Sequence, residues 1–149
     1  SLRQDPTWFR TGYQEAGRDG CRIPLPWEAD APGLGFGPTG ATWLPQPESY
    51  RELAADAQTG VEGSTLELYR AALALRRARD LGDGALAWVD AFRDDPSVLA
   101  FCTDELLVLT NLGEVPVPLP AGFEVVLASA SLDEGRVPTD TTVWALPTA

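Results

Sequence analysis

The segment GRDGCRIPLPW, running from Gly17 to Trp27, gathers the residues of this chain best suited to chemistry. Arg18 and Arg22 stand four positions apart with Asp19 between them, and Cys21 precedes the second arginine. A planar guanidinium can bond two acceptors at once, so it suits the vicinal hydroxyls of a sugar or a carboxylate partner. Pro24 and Pro26 restrict the backbone after Arg22, and Trp27 is placed to pin the loop by packing. Spacing alone leaves two readings open. One is a salt-bridged loop that ties two elements together. The other is a guanidinium aimed into a pocket. Cys21, flanked by arginines, would favour its thiolate, but the chain has no histidine to act as its base, so a buried, inert thiol is expected.

The absence of histidine removes Ser–His–Asp and Cys–His catalysis and His-ligated zinc together. The two cysteines, Cys21 and Cys102, lie far apart and form no CxxC pair; two free thiols are the favoured reading, with one disulfide as the alternative, and no metal site or cofactor is expected. Carboxylates are plentiful, and a carboxylate pair for glycosyl or proton transfer is allowed by residue type. None of Glu28, Asp30, Glu48, Glu52, Asp56, Asp94 and Asp95 is singled out by position, so no catalytic residue is assigned to this chain. The formal net charge of -11 argues against a nucleic-acid or anionic-membrane surface. No apolar run approaches the ~20 residues that span a bilayer, and no signal-peptide pattern opens the sequence. A cytoplasmic location is expected. The abrupt opening at Ser1-Leu2-Arg3, without a capping or strand signal, reads as part of something larger.

The elements that must position the loop fall into three zones. Up to about residue 58 the chain is rich in Pro, Gly and Trp with little periodicity, which usually marks functional loops; short helical turns are expected at 6–10 and 48–56. Next, Ser64 and Glu67 form a capping box, and Leu66, Tyr69 and Leu73 follow at helical spacing. Arg76, Arg77 and Arg79 suit the negative end of the dipole, and Gly82 is the expected stop. This predicts a helix over 65–80. From about residue 85 short strands alternate with turn signals: ALAWV, VLAFC, LLVLTN, VPVPL, FEVVLAS and VWAL. Strands at such intervals predict an antiparallel sandwich or barrel. Pro116 and Pro118 confine their strand to an edge, and Trp88, Phe92, Phe101, Phe123 and Trp144 are expected in the core.

The order of motifs goes further. GRDGCRIPLPW, GFGPTGATWLPQP, Gln58, STLELYRAALALRR and a β domain opening ALAWV and containing LLVLTNLG closely resemble the C-terminal part of α-glucosidases. These are the oligo-1,6-glucosidase-like members of glycoside hydrolase family thirteen, in the α-amylase clan. Their loop reads roughly RDxxRTPMxW; here Ile23 stands for the common Thr and Leu25-Pro26 for Met-Gln. The resemblance implies an α+β fragment: the end of a (β/α)8 barrel, over 1–82, followed by an antiparallel β-sandwich C-terminal domain, over 83–149. Residues up to about 60 would be the long loop after the eighth strand, at the active-site face. The 65–80 helix would pack Leu66, Tyr69, Leu73 and Leu75 on the barrel sheet.

The resemblance also implies a retaining mechanism with an aspartate nucleophile, a glutamate acid/base and a second, stabilising aspartate. All of these lie on motifs that this chain does not contain. The family's loop arginine, which seals the base of the terminal-glucose subsite with an aspartate from the first barrel strand, maps to Arg18 or Arg22. Its place beside Gly17 leans the choice to Arg18. Arg18, Arg22 and Asp19 are thus the expected substrate-binding residues. The expected partners are an N-terminal barrel portion carrying the catalytic residues, and an oligosaccharide or disaccharide. Alone, the chain would be inactive. Two alternatives stand beside this reading: a non-catalytic carbohydrate-binding or interaction module presenting a row of exposed aromatics, and a related glucosyl transferase or isomerase of the sucrose or trehalose type.

Overall fold

The computed structural model of the chain describes residues 2–148. Its contacts divide into two compact units, Ser1–Leu66 and Glu67–Ala149. The first has no strand among its described residues and is held by short helical turns and side-chain staples. Helix α1 (Pro6–Arg10) starts where Asp5 caps it and Pro6 fits the first helical position. A 3-10 turn, Asp19–Arg22, carries the opening motif, and another, Glu48–Arg51, precedes the single-turn helix α2 (Ala55–Gln58). Backbone bonds from Ala55 N to Pro26 O and from Asp56 N to Trp27 O tie α2 to the end of the motif. Asp56 Oδ1 then accepts from Ala29 N at 3.0 Å.

Helix α3 (Thr65–Ala78) matches the expected span, but Gly82 does not stop it. Asp80 takes the left-handed conformation at φ 50, with Asp80 N bonded to Arg77 O and Leu81 N to Arg76 O. That pair of bonds is a Schellman ending, and an aspartate tolerates the conformation that usually selects glycine. At the other end Gln58 Oε1 accepts from Leu66 N at 3.1 Å, and Ser64 Oγ donates to Gln58 O at 2.9 Å. No described residue of α3 is buried. Tyr69 and Leu73, expected to pack on a sheet, are 64% and 46% exposed.

The second unit holds the sheets. Strands β1 (Leu86–Trp88), β2 (Val98–Thr103), β3 (Leu106–Asn111), β5 (Phe123–Ala128) and β7 (Thr141–Pro147) form one antiparallel sheet in the order β1-β2-β3-β7-β5. Strands β4 (Val117–Pro118) and β6 (Arg136–Val137) pair separately. Pro118 therefore lies in a two-stranded ribbon, where a missing ladder donor costs least. Strand β6 was not legible in the sequence; two residues carry no period.

One face of the large sheet buries Val98, Ala100, Leu107, Leu109, Val143 and Ala145 around Val137 of β6, so the ribbon lies over that face. The alternation in TTVWALP shows the same division: Thr141, Val143 and Ala145 point into the core. Asn111 is fully buried and holds the two layers together, with Nδ2 donating to Val137 O and Val115 O at 3.0 Å each and Oδ1 accepting from Gly113 N. The aromatic expectation needs correction. Phe92 and Phe123 pack partly buried against the core, but Trp88 is 54% exposed. It sits on the edge strand β1 in register with Phe101 on the opposite face.

Candidate functional site

The centre of the opening motif is a residue outside it. Asp5 is 3% exposed and three groups converge on its carboxylate. Oδ1 accepts from Thr7 N at 2.8 Å, which caps α1. Oδ2 accepts from Arg18 N at 2.9 Å and from Arg22 Nη1 at 2.9 Å. The Arg18 and Thr7 amides bring the Asp5 carboxyl down from its ordinary 3.8 to about 2, with Arg22 adding a smaller attraction and burial opposing. Gly17 permits this approach. It sits at φ +67, and a Cβ there would fall 2.7 Å from Asp5 Oδ1.

Asp19 works as a second staple. Its Oδ2 accepts from Gln4 N at 2.7 Å and from Asp5 N at 3.0 Å, so each aspartate fixes the backbone that carries the other. The other oxygen, Oδ1, is buried with no hydrogen-bond partner among the described residues. Beyond Arg22, Gln46 Nε2 donates to Pro24 O at 3.1 Å and anchors the proline segment.

The two expected arginines are therefore unlike. Arg22 is 45% exposed along its side chain and held through one nitrogen by a buried carboxylate, which leaves further guanidinium donors for a ligand. Arg18 contributes its backbone N–H to Asp5, and its exposed side chain makes no ion pair among the described residues. Two local expectations change. Cys21 is exposed, because the 3-10 turn carries it outward, and its Sγ donates to Arg18 O at 3.1 Å. Trp27 is also exposed and does not pin the loop by packing; its backbone does so, through Leu34 O and Asp56 N. Cys102, on β2, is half-buried, and burial pushes its thiol up.

Sequence reasoning missed Asp5, although Asp5-Pro6 ahead of a helical turn is an N-terminal signature. What no pattern could reveal is that the same carboxylate reaches thirteen and seventeen residues onward to Arg18 and Arg22.

Residues 2–84, more than half of the chain, match the family model described as "Alpha amylase, catalytic domain". The chain belongs to the α-amylase family. Among curated members, it is 38% identical over 88 residues to a probable α-glucosidase of Rhizobium meliloti, covering 58% of this chain and 16% of that protein. It is 30% identical over 119 residues to a salivary α-glucosidase of Anopheles gambiae, covering 75% and 19%. The chain thus spans less than a fifth of these relatives.

Among solved structures, an α-glucosyl transfer enzyme superposes with a TM-score of 0.71 at 32% identity, covering 99% of this chain and 29% of that one. Isomaltulose synthase from Klebsiella shares the fold, with a TM-score of 0.69 at 23% identity over 95% of this chain and 30% of its own. Trehalose-6-phosphate hydrolase of Bacillus licheniformis gives 0.68 at 24%, again over 95% and 30%. The α+β class and the resemblance drawn from the ordered motifs agree with membership of the α-amylase family.

Proposed function

We propose that the chain is the C-terminal segment of a retaining α-glucosidase that hydrolyses terminal α-linked glucose from oligosaccharides or disaccharides. In this reading it supplies the rim of the glucose pocket and stabilises the fold, while the catalytic carboxylates come from an N-terminal barrel portion of the same enzyme. Residues 1–82 complete that barrel and 83–149 form the C-terminal domain. Neither nucleic acid nor membrane is a partner, and a cytoplasmic site of action belongs to the same proposal.

The observation that carries the reading is the Asp5–Arg22 pair. A buried, strongly acidic carboxylate fixes a half-exposed guanidinium, which is how a protein preorganises a donor for a hydroxyl-rich ligand. We assign the sugar contact to Arg22 on this ground, and an outer position to Arg18, whose side chain has no such anchor. Asp19 serves by holding the turn. The guanidinium bonds sugar hydroxyls and excludes longer non-reducing extensions; it moves no proton.

Reconstitution tests this. Mixed with the barrel portion, the chain should yield glucose from maltose or isomaltose, and alone it should yield none from either. Glucose release by the chain alone, or no release from a folded complex, rejects the proposal. A second reading, glucosyl transfer to a sugar acceptor, is favoured by the 32% identical transfer enzyme that covers nearly the whole chain. Product analysis with excess acceptor sugar separates the two.

A further inference from the structure

The second unit has a surface feature that the glucose-pocket reading leaves unused. Trp88 ends β1, the edge strand of the large sheet, and is 54% exposed together with Leu86 on the same face. Large apolar side chains on an exposed sheet edge invite aggregation, and native edges are normally short, charged or covered. Beside Trp88 lies a concavity of about 370 Å³, lined by Trp88, Phe92, Arg93 and Leu99 among others. Its size is within the ~300–1,000 Å³ of small-molecule pockets.

The walls are preset. Phe101, directly across on β2, meets the indole edge-on, with ring centroids 6.1 Å apart at 78°. That contact fixes the Trp88 ring at little conformational cost to a ligand. Arg93 is likewise held: its Nε and Nη2 donate to Asp90 Oδ1 at 3.0 and 2.6 Å. Of this locally neutral ion pair, Arg93 is the member that lines the concavity, with guanidinium donors still available. A flat, fixed aromatic face beside a planar guanidinium suits a pyranose ring, whose C–H face stacks while its hydroxyls bond. It suits a polyanion poorly in a chain of net charge -11, and a purely apolar ligand would leave the Arg93 guanidinium unmatched.

We propose that Trp88, Phe92 and Arg93 form an accessory site for a short neutral oligosaccharide, separate from the Arg22 loop. The choice of sugar rests on the α-glucosidase reading; the existence of a site does not, because binding is measured without turnover. The test is titration of the ¹⁵N-labelled chain with maltotriose, following the five tryptophan indole N–H signals assigned by Trp→Phe variants. The expected result is a saturable shift of the Trp88 indole, with Kd on the order of 1 mM, and no comparable shift of the Trp43 signal. Read at the Phe101 and Leu99 amides, Trp88→Ala should abolish saturation and Arg93→Ala should weaken binding about fivefold or more, while Arg22→Ala leaves it unchanged. An unchanged Trp144 indole in both variants would show that the sheet is intact. Shifts that do not saturate, that follow another indole, or that survive Trp88→Ala overturn the proposal. So does loss of the Trp88 response when the barrel portion is added, which would make this face an interface. Failed glucose release with an intact Trp88 response rejects the enzyme reading alone.

Discussion

Arg22 Nη1 donates to Asp5 Oδ2 at 2.9 Å, across seventeen residues of sequence and onto a carboxylate that also caps a helix. One buried group thus sets the start of α1, the Arg18 turn and the position of a guanidinium. Its removal should be felt at all three.

Asp5→Ala should speed hydrogen exchange at the Thr7 and Arg18 amides by about tenfold or more, while Leu109 and Val143 in the sheet core keep their protection. Amide exchange followed by NMR reads both regions in one sample. Equal protection before and after the change would show that the carboxylate is not the staple.

The acidity of Asp5 gives a pH dependence with a definite sign. Its folded value of about 2 lies below its ordinary 3.8, so the unfolded chain binds the proton more readily and ionised Asp5 stabilises the folded state. That contribution is complete above about pH 5 and is lost as pH falls through 3.8 towards 2. Protection of the Arg18 amide should fall over that window in the native chain. In Asp5→Asn the same profile should be flat there.

Gly17 and Gly12 separate backbone strain from collision. Both have positive φ, +67 and +64, but only Gly17 faces Asp5, and Gly12 has open space around its missing Cβ. Gly12→Ala should cost roughly 1–2 kcal/mol, the left-handed penalty alone. Gly17→Ala should cost more and also displace Arg22, lowering kcat/KM in the assembled enzyme. Denaturant melts of both variants give the comparison.

In the assembled enzyme Arg22→Ala should lower kcat/KM by a factor on the order of 10², through loss of a charged, preoriented hydrogen bond. Arg22→Lys should recover little, because a flexible ammonium cannot both hold Asp5 and fork onto hydroxyls. Arg18→Ala should have the smaller effect. The reverse ranking would move the sugar contact to Arg18.

Asn111→Ala removes three hydrogen bonds at a fully buried position that joins β3 to the β4–β6 ribbon. A loss of roughly 2–4 kcal/mol is expected, at about 1 kcal/mol per bond plus the desolvation of stranded carbonyls. Urea melts measure it, and exchange at Val137 should rise before exchange at Leu109.

Local pattern determined much of this protein. The α3 helix, the turn at Pro6 and most of the strands follow from period, capping and turn chemistry, each confined to a few neighbouring residues; the family was legible only as the resemblance of several motifs in succession. Strand β6 escaped because two residues carry no period, and Trp88 was misplaced because alternation tells which residues share a face and not whether that face is covered. Asp80 took the role expected of Gly82 because helix ends depend on bonds that form after the chain turns. The largest gap was Asp5. The sequence contained the arginines of the loop, but which of them is anchored depends on a carboxylate brought from a distant turn, and convergence over that range arises only when the backbone between has folded.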